Sequence, residues 1–402
     1  MNHRPLNVLV IGSGMYVCGR GTKTFGTILP SLFEARRRGL VERITIVGRD
    51  PTNRNDIERR ALDLAELMGV GGSIDILPSG GEPDSGAYRS AARTGDFDCA
   101  IVSVPDHLHY EVVSEVIRAK LHCLVVKPFV PTLDEAVEIV RLQEEHDVYG
   151  AVEFHKRFDE TNLAILRLIR EGRIGDLLYV LVEFSQRRSI PLEIFRAWAE
   201  QTNIFQYLGV HYVDLLWYFT GARPVRVLAT GQKNVLAGEG IETWDSIQGI
   251  IEWEPPAGGS FVSTILTGWV DPPTTTAMSD QKIKLVGSRG RIECDQKERG
   301  LRLVSTAESP QDLNPYFSDL RFAVDLGGLE FHGYGNDSIR LFLADCHDLA
   351  SGRRNVADLR GLRPTFREAL VSTAVIDGAN RSLRNGSAWT SITSLEPQET
   401  RR

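Results

Sequence analysis

Asn7-Val-Leu-Val-Ile11-Gly12-Ser13-Gly14 is the stretch on which the fold of this 402-residue chain turns. The run from Val8 to Ile11 is continuous and apolar, as in a strand covered on both faces, and it stops at a pair of glycines. Alone, such a stop is equally a glycine turn without a ligand; its place at the end of the first strand of a parallel sheet favours a dinucleotide-binding turn. The first glycine permits the tight bend, and the second lets the backbone approach a pyrophosphate. The third position of that pattern calls for Gly or Ala but holds Val17. Either the helix and strand meet less closely than usual, or the helix starts late, with Pro30 in its first turn.

Reading outward, Arg43–Val47, Ser73–Leu77, Cys99–Ser103 and His122–Val126 repeat the β-branched apolar pattern. Helical stretches lie between them. Asp56 to Met68 shows apolar residues at helical spacing, and Thr132 with Glu135 forms a capping box. Strand and helix in repetition predict right-handed crossovers and a parallel sheet over residues 1–150. From 151 to 402 the grammar changes. Leu177–Phe184, Val225–Thr230, Trp244–Trp253, Ser260–Leu266, Gln281–Val286, Arg291–Cys294 and Leu301–Val304 read as strands. Turns such as Pro255–Gly259 and Gly287–Gly290 are too short for crossovers, so these neighbours are expected to be antiparallel. One long helix, Ile204–Phe219, interrupts them, with Asn203 as its cap and Gly221 just beyond it. Two more helices close the chain, one after Asp337 and one opened by the box Thr365 to Glu368.

Composition narrows the class. A hydrophobic fraction of 42% builds ordinary cores, and 46 Lys and Arg against 53 Asp and Glu give a net charge of −7, which offers no field for a nucleic acid. No apolar run approaches the roughly 18 residues of a membrane span, and none resembles a signal-peptide core, so a soluble cytoplasmic protein is expected. Cys18, Cys99, Cys123, Cys294 and Cys346 are scattered, without a Cys-x-x-Cys pair, as in a reducing compartment. Cys18 falls in the glycine loop, where oxidation would touch function.

The second strand ends in Gly48-Arg49-Asp50. A small residue followed by arginine makes room for a 2′-phosphate and supplies a cation for it, which favours NADP. Asp50, two positions on, would instead return a carboxylate to the ribose of NAD.

Val104-Pro105-Asp106-His107-Leu108-His109, Val126-Lys127-Pro128, His155-Lys156-Arg157-Phe158-Asp159, Gly209-Val210-His211-Tyr212-Val213-Asp214 and Gly333-Tyr334-Gly335 follow in order. Together they resemble the Gfo/Idh/MocA family of nicotinamide-dependent oxidoreductases, and the resemblance spans nearly the whole chain. It implies an N-terminal Rossmann-type domain binding NAD(P) and a C-terminal α+β domain with an open, predominantly antiparallel sheet. That second domain shapes a sugar or cyclitol site and the contact of a homodimer or homotetramer. Lys127 carries over onto the family's Glu-Lys-Pro lysine, which touches both cofactor and substrate, while the glutamate is replaced by Val126. His211 becomes the proton-exchanging base, oriented by Asp214. Tyr207, where the family commonly has aspartate, hydrogen-bonds the substrate, relays a proton or only packs. Gly12, Ser13, Gly14, Arg49, Asp50, Pro105, Asp106 and His109 are the remaining cofactor candidates, and Arg157 and Tyr334 the remaining substrate candidates, with an interdomain salt bridge as the equal alternative for Arg157. The alternating pair His107 and His109 lacks a third ligand, and the family needs no metal because the nicotinamide takes the hydride itself.

The expected activity is hydride exchange with a secondary alcohol or ketone of a sugar, cyclitol or derivative, phosphorylated or nucleotide-linked forms included. Two alternatives stand beside it: a sensor or scaffold that binds NAD(P) without turnover, and a glycosidase that oxidises its sugar transiently.

Overall fold

The computed structural model describes residues 4–306, 309–324 and 327–392. The chain divides into two compact units. One comprises Met1–Phe129, Glu138–Phe158 and Tyr316–Glu368, the other Val130–Val137, Asp159–Pro315 and Ala369–Arg402.

The first unit is built on six strands: β1 (Leu6–Ile11), β2 (Val41–Val47), β3 (Asp75–Leu77), β4 (Cys99–Val102), β5 (His122–Val126) and β6 (Gly150–Glu153). They lie in the order β3-β2-β1-β4-β5-β6, every pair parallel. Val8, Val10, Ile101 and Val125 have no exposed surface, which is why these strands read as continuous apolar runs. The order reverses between β1 and β4, so their connections leave in opposite directions and open a crevice at the C-terminal ends, where open α/β sheets bind ligands.

Of the two readings of Val17, the late helix is the one found. A single turn, α1 (Met15–Cys18), is closed by Gly19 in the left-handed region, and α2 (Ile28–Arg37) begins nine residues further on, with Pro30 in its first turn. Val17 is wholly buried, since a β-branched residue there packs into the core instead of letting a long helix lie against β1. Strand β6 was not anticipated. It is four residues long, opens with glycine and ends in a carboxylate. A Cβ at Gly150 would lie 2.2 Å from the Phe366 ring, so the residue that most weakens the strand signal is required by packing. The hairpin Asp319–Phe322 with Leu329–His332 was likewise unforeseen. It is tied to α2, where Glu34 accepts from the Phe331 N–H at 3.3 Å and Arg37 donates to Leu329 O at 2.9 Å.

The second unit carries β7 (Leu177–Arg187), β8 (Arg223–Gln232), β9 (Ser246–Glu254), β10 (Phe261–Asp271), β11 (Ser279–Gly287) and β12 (Gly290–Asp295). With the short strand Thr390–Ser391 at one edge they form a seven-stranded sheet. All pairs are antiparallel except β7 with β10. The two short turns join β9 to β10 and β11 to β12, as their lengths required. One face is core: Val180, Val182, Phe184, Ile251, Trp253, Ile265 and Leu285 are buried on it.

The central helix of this unit runs over Val210–Thr220, preceded by a wide π-type turn at Phe205–Gly209. Asn203 caps the turn, its side-chain oxygen accepting from the Gln206 N–H at 2.9 Å, and Gly221 closes the helix with φ 64°. The box at Thr132 is complete, with Glu135 N–H to Thr132 Oγ1 at 3.3 Å and Thr132 N–H to Glu135 Oε2 at 3.2 Å. At Thr365 the Glu368 N–H donates to Oγ1 at 3.4 Å, whereas the Glu368 carboxylate accepts from Arg157 at 2.6 Å and from the Gly361 N–H at 3.1 Å.

Candidate active site

The glycine turn sits at the point where the strand order reverses. Gly12 has φ +118°, and a Cβ there would stand 2.0 Å from Ser103 O at the end of β4, so both backbone conformation and clearance demand glycine. At Gly14 a Cβ would meet nothing within 4 Å, which leaves open space beside the loop for close approach of a ligand. Arg20 donates to Ser13 O at 3.2 Å and to Ser13 Oγ at 3.3 Å, and also to the Asn53 side chain. A bare backbone loop with a guanidinium at its edge suits a dinucleotide pyrophosphate.

Arg20 was not among the sequence candidates. The signal for it was the chain between Gly14 and Pro30, too long for a helix that starts at once. Arg49 is exposed at the end of β2. Asp50 accepts from the Thr52 N–H at 2.9 Å and the Thr52 hydroxyl at 2.7 Å, bonds that hold its carboxyl below the usual range and fasten it to the turn Pro51–Asn53. Cys18 is wholly buried and its thiol is pushed up to about 11 by that burial, so it stays protonated and shielded from oxidants. This corrects the expectation of a redox-sensitive position.

Around the end of β5 a second group of polar residues is buried: Asp106 at 2%, His109 at 1%, Lys127 at 8% and Glu153 at 1% exposure. His109 is engaged at both ring nitrogens, Nδ1 at 2.8 Å from Pro128 O and 3.0 Å from Phe129 O, and Nε2 at 2.9 Å from Val104 O. It stitches the loop that follows β4 to the Lys127-Pro128 turn. Pro105 opens that loop, its carbonyl accepting from the Leu108 N–H at 2.9 Å. Burial lowers the Lys127 ammonium to about 7; Glu153 and Asp106 pull it back up, and Lys156 lowers it further.

Glu153 accepts from Ser338 Oγ at 2.6 Å and from His155 Nδ1 at 2.9 Å. The His155 ring stacks on Tyr16 and Tyr334, with centroids 6.4 and 5.7 Å away, and leans on Phe317 at 5.0 Å. Tyr334 therefore belongs to the same cluster as Glu153. Burial first, and then the Glu153 charge, raise the Tyr16 phenol well above its usual range. Arg157, 4% exposed, forms an ion pair with Glu368 at 2.6 Å. Neither Glu153 nor His155 was singled out as a functional candidate from sequence; the clue was a carboxylate closing a short buried run.

In the second unit His211 and Asp214 are 3% and 2% exposed on the helix Val210–Thr220. His211 faces Phe184 of the sheet with ring centroids 6.1 Å apart. Tyr207 lies in the wide turn, between the rings of Phe195 at 5.1 Å and Trp269 at 5.7 Å. The structure thus groups Asp106, His109, Lys127 and Tyr334 in the first unit, and Tyr207, His211 and Asp214 in the second. Among the described residues no group of three or more His, Cys, Asp or Glu is placed to hold a metal ion.

A glycine turn where the order of a parallel sheet reverses, with a buried lysine at the end of a neighbouring strand, is the arrangement of a dinucleotide-binding domain. The pattern of the oxidoreductase family with an NAD-binding Rossmann fold matches residues 6–154, and that of the GFO/IDH/MocA C-terminal domain matches residues 163–293. The chain belongs to the Gfo/Idh/MocA family.

Inositol 2-dehydrogenase of Rhizobium meliloti is 24% identical over 243 residues, 58% of this chain and 69% of that one. The scyllo-inositol 2-dehydrogenase (NADP(+)) IolW of Bacillus subtilis is 31% identical over 153 residues, 37% of this chain and 40% of that one. The scyllo-inositol dehydrogenase from Lactobacillus casei, solved with NAD(H) and scyllo-inositol, superposes with a TM-score of 0.65 at 13% identity, covering 97% of this chain and 100% of the other. It shares the fold.

Proposed function

We propose that this protein is a dehydrogenase or ketoreductase that exchanges hydride between NAD(P) and a secondary alcohol or ketone of a cyclitol, sugar or sugar derivative. The observation that carries the reading is Lys127, a buried amine directly after β5 at the C-terminal edge of the parallel sheet, where ligands collect. The inositol dehydrogenases among its relatives favour a cyclitol.

When bound, the nicotinamide supplies the hydride acceptor or donor. Lys127 holds the substrate oxygen, and His211 takes or returns its proton while Asp214 orients the imidazole. Tyr207 and Tyr334 border the substrate. Arg157, anchored by Glu368, adds a positive charge there and fixes the segment that carries His155. Gly12, Ser13, Gly14 and Arg20 hold the pyrophosphate. Pro105, Asp106 and His109 form the loop against the nicotinamide ribose, with His109 holding it in position. Arg49 is exposed and Asp50 is committed to Thr52, which favours NADP over NAD. Residues 1–150 serve the cofactor, and residues 151–402 the substrate and a homo-oligomer contact through the second sheet.

Lys127→Ala and His211→Ala are each expected to lower turnover at least about 100-fold while dinucleotide affinity changes only a few-fold. Full activity in both variants would refute the assignment.

A further inference from the structure

Lys127 follows β5 directly, at the place where the preceding residue, Val126, offers no charge. Yet the amine is not without carboxylates. In the parallel ladder between β5 and β6, Val126 is the register partner of Glu153. The last residues of the two neighbouring strands therefore stand side by side, about 4.8 Å apart along the ladder direction, and the polar one of the pair is on β6.

We propose that Glu153 is the positioning residue that sets the charge of Lys127: the carboxylate absent from β5 is supplied across the ladder by β6. Several observations converge on this role. Glu153 is 1% exposed and closes a strand whose other residues are Gly150, Ala151 and Val152. A carboxylate is not tolerated there as packing and must be compensated. Its partners hold it in one orientation: Ser338 Oγ at 2.6 Å from the helix Tyr334–Ala350, and His155 Nδ1 at 2.9 Å from the segment that follows.

Further charged and titratable groups of the first unit act on the pair. Asp106 from the loop after β4 and Lys156 act on Lys127 together with Glu153. His155, Tyr16 from α1, and Tyr334, stacked on His155, surround Glu153. Of the two carboxylates that support the ammonium, Glu153 is the stronger influence. Its charge favours the protonated lysine, the form that donates to a substrate oxygen.

The part played in turnover rests on the proposed dehydrogenase function; the pairing itself does not, and it is tested without turnover. The probe is competitive acetylation of the dinucleotide-free protein by acetic anhydride across pH, with the Lys127 peptide quantified by mass spectrometry. Wild type should titrate near 7. In Glu153→Gln the midpoint should fall by about 1 to 2 pH units, because the attraction that favours the charged amine is gone. Val126→Glu in that background should bring it back towards the wild-type value.

An identical midpoint in wild type and Glu153→Gln overturns the proposal. Should Glu153→Gln not fold, Val126→Glu in the wild-type background decides: a raised midpoint supports the shared location, and an unmoved one overturns it. If wild type transfers no hydride while the midpoints move as described, the dehydrogenase reading fails and the pairing stands.

Discussion

Arg49 and Asp50 are adjacent in sequence and opposite in what they imply, and only the local bonds separate them. Asp50 spends its carboxylate on Thr52 and caps a turn, while Arg49 stays exposed at the end of β2. A hydrogen bond to a charged group contributes about 1.5–3 kcal/mol. Arg49→Ala is therefore expected to weaken NADP binding roughly 10- to 100-fold and to leave NAD within a few-fold, as read by dinucleotide fluorescence titration; equal losses for both would contradict the NADP preference. Lys127 illustrates the cost of function at the same scale. Its proton is bound by the unfolded chain but released by the folded one between about 7 and the ordinary lysine range, so its penalty on stability is full below pH 7 and shrinks as pH rises through that window. Such a cost is retained where a near-neutral amine is needed.

At the scale of elements, legibility followed burial and length. Strands β1, β2, β4 and β5 announced themselves because both of their faces are covered by apolar residues. The antiparallel strands announced themselves through alternation and short turns. What escaped was short or interrupted. Strand β6 hides because Gly150 must leave room for Phe366 and Glu153 must reach a polar cluster, two demands that remove half of a four-residue pattern. The break between α1 and α2 was readable only as a missing third glycine, since nothing local says that the loop folds back to place Arg20 on Ser13. The wide turn at Phe205–Gly209 was invisible for another reason: its residues are as apolar as those of the helix it precedes, and spacing cannot distinguish the two. The site was legible where a motif marked it, at Gly12, Lys127 and His211. It was illegible where tertiary packing, not spacing, brings residues together, as at Glu153, His155 and Ser338.

At the scale of the molecule, residues 316–368 belong to the first unit, bringing Tyr334 and Ser338 to the polar cluster on β6. The second sheet has one apolar face committed to its own core. Its other face leaves Tyr179, Leu181, Val262 and Leu266 exposed, with Val262 beside Tyr179 and Thr264 beside Leu181 in the β7–β10 ladder. An apolar patch on a sheet face is suited to a second copy of the chain. Light scattering after size exclusion should find a dimer or tetramer that Leu181→Glu with Leu266→Lys converts to monomer; a monomeric wild type, or an unchanged double variant, would remove the sheet from that role. The net charge of −7 leaves recognition of any anion to local groups such as Arg20, Arg49 and Lys127. All of this converges on hydride transfer. The most direct test is to offer the protein oxidised NAD(P) with cyclitols and sugars deuterated at their carbinol carbons and to weigh the recovered dinucleotide. One deuterium per ketone formed is the predicted result. A dinucleotide that binds, yet gains no deuterium from any member of the panel, would contradict it.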